Sequence, residues 1–211
     1  MSVVIIKYNA GNIQSVLYAL ERIGMEALVT DDHSEIRKAD KVIFPGVGEA
    51  STAMKYLNER GLDSLIKNLE QPVLGICLGM QLMCTHSEEN NTQCLGIFDE
   101  MVKLFKTIHS ENESEKSYTK SAKSTIKIPQ IGWNNIYHLK TSLFKGIEEN
   151  SFCYFVHGYF ASIGEHTIAT TNYIQPYSSA LQKNNFYGTQ FHPEKSAGIG
   201  EQILKNFLEI K

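Results

Sequence analysis

The sequence predicts a three-layer α/β fold, in which helices cover both faces of a central sheet. In the first half of the 211-residue chain, short apolar runs alternate with segments whose apolar residues recur at helical spacing. The second half contains more strand-like segments and fewer helical ones. Because alternation of strand and helix is typical of a parallel sheet, we expect a mainly parallel core with additional antiparallel strands.

The elements of the first half follow from their apolar patterns and from the residues that bound them. Asn12 is expected to cap the first helix, and Gly24 is expected to end it. The strands are predicted at residues 3–6, 27–30, 41–44 and 71–76, and the helices at 13–23, 50–58, 62–69 and 78–84.

The second half is predicted to add antiparallel strands and to close on a helix. The strands are expected at residues 101–105, 133–139, 152–156, 167–171 and 186–190, and the helix at 199–208. Residues 107–125 are rich in Ser, Thr, Glu and Lys and have almost no apolar periodicity, which predicts a solvated loop insertion. A role for that insertion as a partner-docking arm is the less favoured alternative. The whole chain, residues 1–211, is expected to form a single domain.

Composition excludes several classes of function. A content of 42% hydrophobic and 20% charged residues is ordinary for a globular enzyme, and the length leaves no room for a second catalytic domain. The formal net charge is −3 and the basic residues form no long run, which argues against nucleic-acid and membrane partners. The apolar run at residues 3–6 is too short for a signal peptide or a membrane span.

The four cysteines indicate the redox environment. They have neither Cys-x-x-Cys spacing nor a histidine at zinc-site spacing, so we expect no disulfide scaffold and no metal site. The natural compartment for such a chain is the reducing cytoplasm.

Cys77 lies between Gly75 and Gly79, where an apolar strand is predicted to become a helix. A sharp strand-to-helix turn of this kind exposes a nucleophile, and it aims the N–H of the next residue, Leu78, at an oxyanion. The following helix favours the thiolate through its dipole. The alternative is that Cys77 is a buried core thiol, and the flanking glycines leave the two interpretations about equally supported.

A histidine and a carboxylate two residues apart follow the last predicted strand. In an extended segment, His192 and Glu194 would face the same side, so that Glu194 could orient the imidazole. His192 could then take a proton from Cys77 and deliver it to a departing amine. Taken alone, this pair could be an ordinary strand end; its combination with Cys77 predicts a cysteine-based catalytic relay.

A glycine-rich turn, Pro45-Gly46-Val47-Gly48, follows another buried strand. Its glycines allow the backbone to approach a ligand closely, although a glycine-rich turn is more often only structural.

These motifs resemble a known family. Gly75-Ile76-Cys77-Leu78-Gly79-Met80-Gln81 together with Phe191-His192-Pro193-Glu194 is similar to the class I, triad-type glutamine amidotransferases, and the resemblance covers nearly the whole chain. It implies a flavodoxin-like three-layer domain. Within that family, residues 8–12, 45–48, 132–134 and 192–196 resemble the glutaminase subunits of imidazole glycerol phosphate synthase. Pyridoxal phosphate synthase glutaminases fit less well.

The resemblance implies glutamine hydrolysis by Cys77, His192 and Glu194, with no metal and no other cofactor. It implies that the ammonia passes to a (β/α)₈ cyclase subunit that forms imidazole glycerol phosphate and AICAR in histidine biosynthesis. The implied oxyanion donors are the N–H groups of Val47 and Leu78. The implied substrate contacts are Gly46, Gln81, Glu89, Gly158 and Tyr159, and the implied partner interface is Asn12, Trp133, Asn134 and Lys195.

The sequence departs from the family pattern at two places, and several alternatives stay open. Gln130-Ile131 stands where the family usually has His-Met, and Gly158 stands where it usually has Ser or Thr. Glu89 and Lys195 could instead be solvated charges, and Trp133 could be a core aromatic. A paralogous amidotransferase that feeds a sugar-modifying synthase would use the same three catalytic residues. A non-catalytic regulatory subunit is less favoured because it need not retain them all.

Overall fold

The computed structural model describes residues 1–9, 12–106 and 127–211, and the predicted insertion at 107–125 lies outside them. The helices are α1 (Ile13–Arg22), α2 (His33–Lys38), α3 (Ala50–Glu59), α4 (Leu62–Lys67), α5 (Leu78–Met83) and α6 (Ala197–Glu209). The strands of the first half are β1 (Val3–Ile6), β2 (Leu28–Thr30), β3 (Lys41–Phe44), β4 (Val73–Ile76), β5 (His86–Ser87) and β6 (Thr92–Gln93). Those of the second half are β7 (Met101–Leu104), β8 (Gln130–Ile136), β9 (Ser151–His157), β10 (Tyr159–Ala161), β11 (Thr167–Asn172), β12 (Pro176–Lys183) and β13 (Phe186–Thr189).

The main sheet has the order β2-β1-β3-β4-β13-β12-β10-β7-β5-β6, and β11 pairs with β12. The five strands from β2 to β13 are parallel, whereas β13, β12, β10 and β7 pair antiparallel in succession. Strands β8 and β9 form a separate antiparallel pair. The prediction of a mainly parallel core with additional antiparallel strands is therefore confirmed.

Two apolar cores cover the two faces of the parallel strands. Val4, Val42 and Phe44 face one core, and their neighbours Ile5 and Ile43 face the other, because successive strand residues point to opposite sides. Helices α2 to α5 pack on the first face, and α1 and α6 pack on the second. This arrangement gives the three predicted layers, and each fully buried aliphatic side chain contributes about 1.5–3 kcal/mol to their stability.

The sequence prediction missed one helix and several strands. Helix α2 buries only Ile36, so it has no apolar periodicity; its start is set by Asp32, whose side chain accepts hydrogen bonds from the N–H groups of Ser34 and Glu35. Strand β12 was missed because buried Ser178 and Ser179 interrupt its apolar pattern. The short strands β5, β6 and β10 were also missed.

One predicted strand is displaced along the chain. The strand expected at 133–139 is β8, which begins and ends three residues earlier. Its first residue, Gln130, is buried although it is polar, so an apolar pattern could not locate the start. Within the described residues, no helix is both long and apolar enough to cross a membrane.

Candidate active site

Cys77 occupies the predicted sharp turn between β4 and α5. Its φ of 53° and ψ of −108° are unusual for a residue with a side chain, and they mark a strained elbow. The flanking glycines make this turn possible. A Cβ atom on Gly79 would overlap the carbonyl oxygen of Phe44, and one on Gly75 would lie 2.8 Å from the Met80 nitrogen. The elbow predicted from the sequence is therefore present.

His192 reaches Cys77 because β13 lies beside β4 in the parallel sheet. Thr189 is aligned with Ile76, so the segments that follow β13 and β4 leave the sheet at the same edge. His192 Nδ1 lies 2.8 Å from Glu194 Oε1, and both side chains are buried. The structure thus brings together the three residues that the sequence singled out.

The local geometry of this pair differs from the prediction. Glu194 does not lie in an extended segment, because Pro193–Lys195 forms a 3₁₀ turn after the strand has ended at Thr189. Pro193 starts the turn, where its fixed φ is compatible with a helical backbone. The turn brings the carboxylate back to the imidazole, so the contact was predicted correctly from incorrect strand geometry.

The surroundings of His192 favour its charged form. Burial disfavours the imidazolium, but the negative charge of Cys77, a hydrogen bond with that sulfur and the contacts with Glu194 together raise the pKa of His192 from 6.5 to about 10. The imidazolium is therefore the favoured form of His192 in this site.

Asn12 does not cap helix α1 with its side chain, so that prediction is wrong. The residue stands at the helix start with a φ of 72°, and its amide Nδ2 donates instead to Glu194 Oε1 at 2.7 Å. The missing cap follows from the backbone, because Asn12 is in the left-handed region and a capping residue is usually extended. The same Glu194 oxygen thus holds both His192 and Asn12.

The Pro45–Gly48 loop lies directly against the elbow. The Leu78 N–H, a predicted oxyanion donor, donates to the carbonyl of Gly46 at 3.3 Å. Tyr8 anchors the loop by donating its hydroxyl to the Pro45 carbonyl at 2.5 Å. Burial and the nearby Cys77 raise the pKa of Tyr8 well above its usual value, so the hydroxyl remains a donor. In this conformation an oxyanion would have to displace the Gly46 carbonyl.

A cavity of about 470 Å³ opens above Cys77. It is large enough for a small amino acid, because ligand pockets begin at roughly 300 Å³. The predicted site residues that line it are Val47, Cys77, Leu78, Gln81, Glu89, Gly158, Tyr159, His192 and Lys195. Glu194 lies behind His192, and Gly46 lies behind Leu78.

Glu89 and Gln81 present polar groups to this cavity. Glu89 accepts a hydrogen bond from the Ala50 N–H at 2.8 Å, and its partial burial raises the pKa of its carboxyl group. Gln81 Nε2 donates to the Tyr159 carbonyl at 2.9 Å, which holds the side chain in place. Glu89 is half-buried, so the alternative interpretation of Glu89 as a fully solvated charge is wrong.

Two polar residues of the site were not predicted. His157 lines the cavity, and burial lowers the pKa of its imidazole from 6.5 to about 4 although it contacts the Tyr159 carbonyl. Gln190 is fully buried and its Nε2 lies 3.7 Å from Cys77 Sγ. The only sequence signal for either residue was its position inside a motif: His157 next to Gly158, and Gln190 two residues before His192.

The expected interface residues lie around the cavity and on the β8–β9 pair. Trp133 is 53% exposed and packs edge-on against Tyr154, so its interpretation as a core aromatic is wrong. Lys195 is exposed at the cavity rim. Asn134 donates to the Asn172 carbonyl at 3.0 Å. Across the described ranges, no cluster of three His, Cys, Asp or Glu side chains could hold a metal ion.

Comparison with known proteins agrees with this geometry. The family model described as "Glutamine amidotransferase class-I" matches residues 4–210. The imidazole glycerol phosphate synthase subunit HisH of Bacteroides fragilis is 57% identical over 210 residues, and that of Bacteroides thetaiotaomicron is 53% identical; the alignments cover 100% of both chains in each case.

A solved structure described as a glutamine amidotransferase superposes with a TM-score of 0.70, covering 99% of this chain and 98% of that one. At 16% sequence identity, this similarity supports the fold alone. The chain therefore belongs to the class I glutamine amidotransferase family and, within it, to the family of the imidazole glycerol phosphate synthase subunit HisH.

Proposed function

We propose that the chain hydrolyses glutamine to glutamate and ammonia as the glutaminase subunit of imidazole glycerol phosphate synthase. The observation that carries the proposal is that Cys77 and His192 line one cavity of amino-acid size, with His192 held by Glu194 at 2.8 Å. Membership of the HisH family supports the same conclusion.

In the proposed reaction, the Cys77 thiolate attacks the side-chain carbonyl carbon of glutamine. His192 protonates the amide nitrogen, the C–N bond breaks and ammonia leaves. Water then attacks the glutamyl thioester and gives a proton to the now neutral His192; the C–S bond breaks, glutamate departs and the sulfur recovers its electron pair. Glu194 orients the imidazole and stabilises its charge, with Asn12 donating to the same carboxylate oxygen.

The N–H groups of Val47 and Leu78 are the proposed oxyanion donors. Because the Leu78 N–H now donates to the Gly46 carbonyl, the Pro45–Gly48 loop has to change conformation before that donor can act. The loss of one such donor costs on the order of a hundredfold or more in rate. We therefore infer that the loop gates hydrolysis.

The substrate's charged ends require complementary groups near the reacting amide. Glu89 is the proposed contact for the α-ammonium group, and Gln81 holds the substrate together with backbone groups of Gly158 and Tyr159. The Gly46 backbone lies beside the substrate amide. Since Gly158 has no hydroxyl, only its backbone can take part in the contact.

The proposed partner is a (β/α)₈ cyclase subunit that receives the ammonia in a cytoplasmic heterodimer, where the assembled synthase carries out the lyase step. Ammonia released to water would be protonated, so direct transfer preserves its nucleophilicity. The proposed interface includes Asn12, Trp133, Asn134 and Lys195. Exposed Ile131 and Phe152, on the same two-stranded sheet as Trp133, add apolar area of the kind that buries well in a stable complex.

Glutamine turnover of the purified chain tests the proposal. It is measured with the chain alone, with the cyclase subunit of the same organism, and with that subunit and its phosphoribulosyl aminoimidazole carboxamide substrate. Strong stimulation by the loaded cyclase is expected. If the rate of glutamine hydrolysis does not change when the cyclase is added, the partner is another synthase, such as a sugar-modifying one. The absence of hydrolysis in every mixture would favour a regulatory subunit.

A further inference from the structure

Gln190 occupies a position equivalent to that of Cys77 on the neighbouring strand. Cys77 follows the last residue of β4, Gln190 follows the last residue of β13, and those last residues, Ile76 and Thr189, are aligned in register. The Gln190 side chain is fully buried, and its Nε2 donates to Cys77 Sγ over 3.7 Å. The mechanism described above leaves this contact unused.

The orientation of the Gln190 amide follows from a chain of hydrogen bonds. The Tyr159 carbonyl can only accept, and it accepts from Gln81 Nε2 at 2.9 Å. The same nitrogen donates at 2.9 Å to Gln190 Oε1. Because the oxygen of Gln190 is engaged by Gln81, its NH₂ group is the one that faces the sulfur.

An N–H donor discriminates between the two forms of the sulfur. A thiolate accepts the hydrogen bond with a full negative charge, whereas a thiol is a weak acceptor, and bonds to charged groups are the stronger ones. The Val156 carbonyl, 3.8 Å from Cys77 Sγ, offers an acceptor to the thiol S–H. Gln190 therefore favours the ionised nucleophile, and Val156 favours the protonated one.

We propose that Gln190 is a positioning residue for glutamine hydrolysis, which holds the Cys77 sulfur as a directed thiolate through its amide N–H. This inference rests on the proposed function. The donor stabilises the sulfur anion before attack, loses that interaction when the thioester forms, and regains it when the C–S bond breaks and the sulfur takes back the electron pair. Gln81 connects this donor to the substrate cavity.

The alternative is that Gln190 merely satisfies buried hydrogen bonds. Alkylation of Cys77 by iodoacetamide separates the two roles, because the reagent reacts with the thiolate and needs neither glutamine nor a partner. All four cysteines are buried, but Cys77 is the one of the four that lines the cavity. Burial raises the pKa of the Cys94 and Cys153 thiols to about 12 and that of Cys84 well above its usual value, so the reaction reports on Cys77.

The test compares Gln190→Met with the native full-length chain. Methionine has a similar length but no N–H donor. The alkylation rate of Cys77 is followed by mass spectrometry between pH 6 and pH 10. We expect the alkylation rate of Gln190→Met to be about tenfold lower than the native rate at pH 7, which is the effect of losing one hydrogen bond to a charged group. The difference between the two rates should become smaller as the pH rises, because a high pH ionises the thiol in both proteins. The titratable groups that interact electrostatically with Cys77, namely Tyr8, Tyr177 and His192, are present in both proteins.

Two further variants provide a control and a second test. Gln182→Met is the matched control, because Gln182 donates to the Tyr187 hydroxyl instead of the sulfur, and its profile should match the native one. Gln81→Met leaves Gln190 in place but frees its amide to rotate, so a smaller deficit at pH 7 is expected. If Gln190→Met does not fold, the inference is tested with Gln81→Met instead. An alkylation profile equal to the native one, in whichever of these two variants is used, would overturn the inference.

Glutamine kinetics distinguish this inference from the proposed function. With the loaded cyclase present, Gln190→Met should lower kcat about tenfold and leave KM nearly unchanged, since the residue contacts the nucleophile. If the native chain hydrolyses glutamine while its alkylation profile equals that of Gln190→Met, only the role of Gln190 fails. If the alkylation profiles differ but the native chain hydrolyses no glutamine in any mixture, only the proposed function fails.

Discussion

The edge of the sheet at Cys77 and the outer surface of the β8–β9 pair are built in opposite ways. Around Cys77, the reactive side chains are buried and held by hydrogen bonds such as that of His192 with Glu194. On β8–β9, the large side chains of Ile131, Trp133 and Phe152 are more than half exposed. The catalytic side chains are thus assembled within the folded chain, whereas the apolar face of β8–β9 is left exposed.

The largest effect is expected from Cys77→Ala. Glutamine-dependent synthase activity should fall by at least about a thousandfold, because removal of a nucleophile abolishes the covalent route. Activity supplied with ammonium salts should persist, since the docking surface is untouched. Both activities are measured on the reconstituted complex. Equal loss with the two nitrogen sources would contradict direct transfer of ammonia between subunits.

Glu194→Gln should lower glutamine turnover, but the loss should be about a hundred times smaller than the loss caused by Cys77→Ala. The amide keeps the shape of the side chain but stabilises the imidazolium less well. Glu100→Gln is the matched control: Glu100 is also a buried carboxylate in contact with a histidine, His166, but it does not line the cavity. Turnover should fall only in the first variant, and an unchanged rate for Glu194→Gln would refute its orienting role.

Trp133→Ala tests the other side of the comparison. It should weaken cyclase binding about thirtyfold, equivalent to about 2 kcal/mol, because exposed tryptophans that become buried are frequent binding hot spots. Its effect on the free energy of unfolding should be under about 1 kcal/mol. By contrast, Phe155→Ala, on the buried side of β9, should cost about 3–5 kcal/mol of stability. Titration calorimetry and urea unfolding measure the two quantities.

The last prediction concerns the pH dependence of stability. Because the pKa of His192 is raised from 6.5 to about 10 in the folded chain, its charged form contributes stability that is full below pH 6.5 and is lost as the pH rises through about 10. The difference in unfolding free energy between the native chain and His192→Gln should therefore shrink from pH 6 to pH 10. A difference that grew over this range would contradict the charged state assigned to the site.

The sequence sufficed where a pattern is local. Apolar runs located β1, β3 and β4, and two glycines around Cys77 predicted the elbow that the structure contains. It failed where a polar residue is used in the interior. Asn12 could not be assigned to Glu194, nor Gln190 to Cys77, because each contact joins segments more than a hundred positions apart.

The placement of β13 between β4 and β12 has a consequence for the order of folding. The penultimate element of the chain completes the parallel sheet, and residues 113 positions apart must meet before Cys77 has its neighbours. Such distant pairings form late, because the loop between them has to close first. During synthesis, Cys77 therefore emerges from the ribosome long before His192, and the incomplete chain carries the thiol without its catalytic histidine.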